Sequence, residues 1–315
     1  CFIVFSLMEL VPGTCAERYL AFKNTQGSQI TFEDIAAEEK RLGLDKPFLY
    51  RYTKWVSDIV IKQDFGDSCI LRISINELLS GRFVLSLTIA ITALLFSYAI
   101  AIPVGIISAT TKYASLDNAL KFISYLGIAL PNFLVALCIM LFMTVYYGDT
   151  MTGLFSQEYE NAPWSTAKVQ DFLSRAWLPI FVLGWNATAF ALQTVRALML
   201  DENDKLYVMA ARARGVSGMS LLWRYPAKHS LGPVINSIGF DLNRIFSALP
   251  VVALILILTE AGALLIEALA RSNDQQLAGA IIFLLTATIV FVNFVTDIIL
   301  AIMDPRIRRG VMGGS

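Results

Sequence analysis

Five apolar runs constrain this sequence more than anything else in it: Phe83–Ala109, Leu120–Tyr146, Trp177–Leu200, Pro233–Leu258 and Leu277–Met303. Each is longer than the ~20 residues a helix needs to cross a bilayer. In hydrocarbon every backbone N–H and C=O must be satisfied within the protein, so runs of this length form helices. The sequence therefore predicts an all-α, polytopic helical membrane protein. Composition agrees, with 56% of the residues hydrophobic and 16% charged, against about 25% charged in a soluble domain. The formal net charge is zero, which leaves no overall basic footprint for nucleic acid. Residues 1–11 are apolar but too short to span, and read as the end of a first transmembrane span whose beginning precedes this numbering. That reading makes six spans in the intact chain.

Residues 12–82 are polar and predict a loop region with short helices. Thr31 and Asp34 have capping-box spacing ahead of a helix to Leu42, and Gly43 ends it. Asp45 and Pro47 open a second helix through Ile61, and residues 64–68 form a turn. Lys112, Lys121, the basic segment 201–232 and Arg306, Arg308 and Arg309 fall on one side of the membrane. The loop 148–175, acidic on balance, falls on the other. The positive-inside rule then places 201–232 in the cytoplasm and 12–82 outside. Cys15 and Cys69 share that outer region and can pair in an oxidising compartment.

Tyr207–Pro233 (YVMAARARGVSGMSLLWRYPAKHSLGP) carries Arg212, Arg214, Arg224 and Lys228 with no carboxylate. It predicts two short helices around a turn at Gly215. Leu206, Met209, Ala210 and Ala213 fall at i, i+3, i+4 and i+7 and share a face. Asn203 or Asp204 can cap the first helix and Ser217 the second, in which Leu221, Leu222 and Tyr225 form a further apolar stripe. Such a two-faced helix pair on the inner side of a membrane is a docking surface.

The segment resembles the coupling loop of ABC-importer permeases, in the spacing of the dipeptide/oligopeptide/nickel permease family. The match rests on Ala210-Ala211, Gly215 and Pro233 with YxxxARAxG around them. LGLDKP (42–47), DFGDS (64–68) and DPRIR (304–308) resemble the same family. Lys205 and Leu206 stand where the family is acidic, and Gly232 where it has leucine before the proline. The resemblance implies the transmembrane domain of a type I ABC importer over 83–315, with 201–232 as its cytoplasmic coupling loop. It implies a second, homologous permease, two cytoplasmic ATPase subunits, an extracytoplasmic binding protein, and a bacterial or archaeal cytoplasmic membrane around the chain. Peptide is the implied substrate, with oligosaccharide or nickel as the alternatives. Tyr207, Ala210, Ala211, Arg212, Gly215 and Pro233 carry the coupling role by this resemblance.

The sequence contains no GxxxxGK[ST] phosphate loop, no HExxH and no GxSxG, and its one histidine is His229. No cofactor, metal or catalytic residue is expected on this chain, and no enzyme activity; the resemblance implies that ATP and Mg sit on the partner subunits. Asp241 and Arg244, three apart inside a span and measured at ~12–16 Å from Pro233 along one continuous helix, fall near mid-depth and can pair. Either they line a passage together with Asn243, or they brace two helices. Asn186, Gln193, Asn293 and Asp297 pose the same question more weakly, interhelical hydrogen bonding being the simpler role. Two other classes fit less of the sequence: an ion-coupled secondary transporter using Asp241 or Asp297, which leaves the basic loop unexplained, and a membrane scaffold, which leaves the intramembrane charges unexplained.

Overall fold

A computed structural model describes residues 2–10, 13–25, 31–110, 113–148, 151–160, 162–272 and 274–303. The DPRIR match, Lys112 and Arg306, Arg308 and Arg309 lie outside these residues. The described chain is helical apart from one isolated bridge between Asp67 and Ser74. Four helices are long and apolar enough to cross a membrane, or five when one bent pair is taken as a span.

The chain divides into two units, the first made of residues 1–86 and 259–287. Local signals act here as sequence chemistry requires. Thr31 and Asp34 close a capping box on the Phe32–Leu42 helix, and Gly43 ends it in the left-handed conformation. The next helix runs Phe48–Ser57 and continues as a π-turn, Asp58–Lys62, with Pro47 at the cap position, one residue earlier than expected. In the 64–68 turn the Gly66 amide donates to the Asp64 carboxylate at 2.8 Å. The core gathers Ile75, Leu79, Leu264, Leu265, Leu277 and Ile281. Two buried acids tie distant segments to it. Asp274 caps the Gln275–Met303 helix through the Leu277 amide and accepts from the Ser68 hydroxyl at 2.5 Å and the Cys69 amide at 2.9 Å. Glu260 caps the Ala261–Ile266 helix through the amides of Gly262 and Ala263 and accepts from the Ser86 hydroxyl. Cys69 is disulfide-bonded; the side chain of Cys15, its expected partner, lies outside the described residues.

The second unit comprises residues 87–258 and 288–315. Its axis is the Thr166–Asn203 helix, started by Ser165, which accepts from the Lys168 amide at 3.2 Å. Five described helices pack on it: Arg82–Thr110, Ala114–Ala129, Asn132–Tyr147, Pro226–Asn236 and Ile238–Leu256. Hydroxyl and amide groups stitch them at close approaches. Ser97 donates to the Gly184 carbonyl at 3.0 Å, Ser124 to Ala189 at 3.0 Å, and Asn186 to Gly127 at 3.2 Å. Small polar side chains thus act as interhelical donors in this unit.

Two expected spans are not continuous. The Leu120–Tyr146 run is broken at Leu130–Pro131 into two helices bent by 101°. Proline disfavours helical geometry in the residue before it, and Leu130 takes an extended conformation accordingly. The Pro233–Leu258 run is also divided. Pro233 lies inside the Pro226–Asn236 helix, and the apolar helix begins at Ile238. Trp185 packs on Phe181 at 5.6 Å with its indole nitrogen buried, whereas Trp177 is exposed.

Candidate functional site

The basic segment folds as a hairpin of two short helices, Leu206–Ala213 and Gly218–Arg224. Gly215 turns between them at φ +87°, a conformation that costs an L-residue roughly 1–2 kcal/mol. Its amide donates to the Arg212 carbonyl at 3.0 Å, and the Val216 amide to Ala211 at 3.2 Å, which closes the turn. Neither expected cap forms: Lys205 holds the first cap position because Asp204 ends the preceding helix, and Ser217 makes no side-chain capping bond.

The hairpin has a packed underside. Val208, Ala211 and Leu221 are buried together, with Tyr207, Val216 and Tyr225 against them. The Tyr207 hydroxyl donates to the Glu202 carboxylate at 2.5 Å, and its ring meets that of His229 edge-on at 5.0 Å. Burial, then the bond to Glu202 and the charge of that carboxylate, push the Tyr207 phenol well above its ordinary range, so it stays a neutral donor. Tyr207 therefore fastens the hairpin to the end of the long helix and to the helix that follows. Arg212 reaches back to Asn203 at 3.4 Å.

The other face is bare. Leu206 is 80% exposed, Met219 59%, Met209 46% and Trp223 45%. Ala210, Ala213, Arg214, Arg224 and Lys228 are exposed beside them. The stripe read from Leu206, Met209, Ala210 and Ala213 is thus the outer face. Ala211 supplies the close helix contact, Ala210 does not, and Pro233 is an exposed helix-interior residue.

The second group of predicted residues sits at the start of the Ile238–Leu256 helix. Asp241 is buried and Arg244 Nη1 donates to it at 3.0 Å. Their place is ~5 and ~9 Å along this helix from Ile238. Tyr98, which sequence reasoning missed, donates its hydroxyl to Asp241 at 2.6 Å, with Ser237 Oγ at 3.4 Å. The Arg244 guanidinium lies 3.9 Å over the Phe190 ring. Asn243 is exposed and takes no part in these bonds. Close by, a Cβ on Gly239 would stand 1.4 Å from Asn293 Oδ1, so only glycine admits this approach.

A further ionic cluster was also missed. Asp117 accepts from Arg196 Nε and Nη2, both at 3.0 Å, and from Ser108 Oγ at 2.7 Å, with Lys121 Nζ at 2.6 Å. An arginine inside an apolar run was the available signal.

Apolar spans, two of them broken, and a half-bare basic hairpin define a polytopic helical membrane protein. The family "Binding-protein-dependent transport system inner membrane component" matches residues 101–309, and the chain belongs to it. Among curated relatives it is 28% identical over 96% of its length to the oligopeptide transport system permease protein AppB of Bacillus subtilis, covering 92% of that protein. It is 30% identical over 87% of its length to the inner membrane ABC transporter permease protein YejB of Escherichia coli O157:H7, covering 76% of it. To the dipeptide transport system permease protein DppB of E. coli K12 the identity is 24%, over 98% of this chain and 93% of that one. Among solved structures, a chain of the MetNI methionine ABC transporter in an inward-facing form aligns with TM-score 0.57 at 16% identity, over 72% of this chain and 97% of that one, which shows the fold. The chain is therefore a multi-pass permease subunit of an ABC importer in the bacterial cytoplasmic membrane.

Proposed function

We propose that this permease carries peptides. It pairs with a second, homologous permease, receives substrate from an extracytoplasmic binding protein, and is driven by two cytoplasmic ATPase subunits that hold the ATP and Mg. The peptide reading follows the oligopeptide and dipeptide relatives named above. The driving reading rests on one observation: the bare stripe of Leu206, Met209, Met219 and Trp223 on a hairpin whose other face is fully packed. Exposed apolar groups of this size mark a protein contact. A hairpin fastened through Tyr207 and Ala211 moves as a body, so a push on the stripe reaches the Thr166–Asn203 helix and the helices packed on it. Tyr207, Ala211 and Gly215 give the hairpin its shape, while Ala210 and Arg212 border its contact face. Asp241, Asn243 and Arg244 border the passage.

Gly215→Val tests this. The site has open space around it, so the substitution acts through the left-handed backbone alone. In a reconstituted transporter we expect assembly and ATP hydrolysis to persist while peptide uptake falls about tenfold, the effect of ~1.4 kcal/mol. Unchanged uptake would remove the coupling role.

A further inference from the structure

The two ends of the Asp241–Arg244 pair are unequal. Asp241 is buried, with the Tyr98 hydroxyl at 2.6 Å, Arg244 Nη1 at 3.0 Å and Ser237 Oγ at 3.4 Å, so its oxygens have little capacity left. Arg244 gives that partner one nitrogen, and its side chain is 40% exposed. A guanidinium carries five N–H donors in a planar fork. Here one edge is held by a carboxylate and one face lies 3.9 Å over Phe190, so the orientation of the rest is set in advance. A preset, part-open fork matches a carboxylate in two-point geometry. An exposed guanidinium at this position in a membrane helix faces a water-filled space or protein rather than lipid.

We propose that Arg244 is a contact for the C-terminal carboxylate of a peptide in transit, and that Asp241, Tyr98 and Phe190 position it. This rests on the peptide-import reading above. The bound charge of Asp241 offsets part of the attraction of Arg244 for a second carboxylate. The contact is therefore weak enough to release, as a transit site requires. Asp241 is buried and already paired with Arg244 and Tyr98, so the part-exposed Arg244 is the group of the two that meets substrate.

The test is uptake by the complete transporter in proteoliposomes, with trialanine and trialanine amide as probes and one binding protein throughout. The binding protein also discriminates the two probes, but its share cancels when each variant's acid-to-amide ratio is divided by that of the wild type. Arg244→Gln should lower trialanine uptake about tenfold, the scale of one lost charged hydrogen bond, and leave amide uptake within about twofold. Arg244→Lys should keep part of the preference. The double variant D241N/R244Q leaves no unpaired buried charge and should lose the preference to the same extent. A parallel fall for both probes in all three variants, or an unchanged ratio, would show Arg244 to be a helix brace or a contact to the second permease, and would overturn the proposal. No ATP-dependent uptake of either probe by the wild type would instead remove the peptide-import reading beneath it.

Discussion

Asp117 and Asp241 each hold an arginine within the membrane unit, but the two pairs are closed to different degrees. Asp117 meets Arg196 across 79 residues with both carboxylate oxygens, and Ser108 and Lys121 fill its remaining sites. Arg196 is 19% exposed. That cluster joins the Arg82–Thr110, Ala114–Ala129 and Thr166–Asn203 helices. Asp241 meets Arg244 three residues away through a single nitrogen, and the arginine stays 40% exposed. A largely enclosed arginine that gives two nitrogens to a carboxylate on another helix braces helices, while one held through a single nitrogen and 40% exposed leaves a charged group in reserve. Sequence distance and closure go together here because a long-range pair forms only by joining helices, whereas a pair on one helix turn joins none.

The largest effect expected from this contrast is on stability. Arg196→Gln removes two charged hydrogen bonds that join helices, leaves the half-buried Asp117 with Lys121 and Ser108, and should cost about 3 kcal/mol. The matching change at Asp241 is D241N/R244Q, which leaves no buried charge without a cation and should cost about 1 kcal/mol, because the arginine is part-exposed and screened. Thermal unfolding of the detergent-solubilised protein compares the two. Equal losses would break the distinction between brace and contact.

A third buried carboxylate sharpens it further. Glu260 has only neutral donors, the Ser86 hydroxyl and two amides, among the described residues. Burial pushes its carboxyl above the ordinary value of 4.5 despite those bonds. The folded state then binds its proton more tightly than the unfolded state does. Its contribution to stability is full below pH ~4.5 and is lost as pH rises through the raised value. We expect Glu260→Gln to flatten that part of the melting-temperature profile, a smaller effect than either arginine change. An unaltered profile would mean that the acid is paired in a way not seen here.

Features carried by neighbours in sequence were legible. The spans, the Thr31–Asp34 box, the Gly43 stop and the Gly215 turn depend on hydropathy or on residues within one helix turn. The hairpin's apolar stripe followed from spacing alone, and the structure adds that it is the uncovered face. What escaped was long-range or hidden in continuous hydropathy. Tyr98 meets Asp241 across 143 residues and Arg196 meets Asp117 across 79, and neither pairing leaves a local mark. The breaks at Leu130–Pro131 and Ser237 lie inside runs that read as single apolar segments. Membrane helices also tolerate proline when neighbours satisfy the freed groups, so Pro131 alone did not announce a 101° bend.

The central claim is that the bare face of the hairpin is where an ATPase subunit drives this permease. Leu206, the most exposed residue on that face at 80%, gives the most direct test. Leu206→Cys, with the free Cys138 replaced, would be treated with a short bismaleimide in membranes carrying the whole transporter that have also been given cysteine-bearing ATPase variants. The account predicts a covalent adduct between this chain and the ATPase subunit whose yield changes when ATP is added. Free labelling of Leu206→Cys by a soluble maleimide in the assembled complex, with no adduct in either nucleotide state, would contradict it.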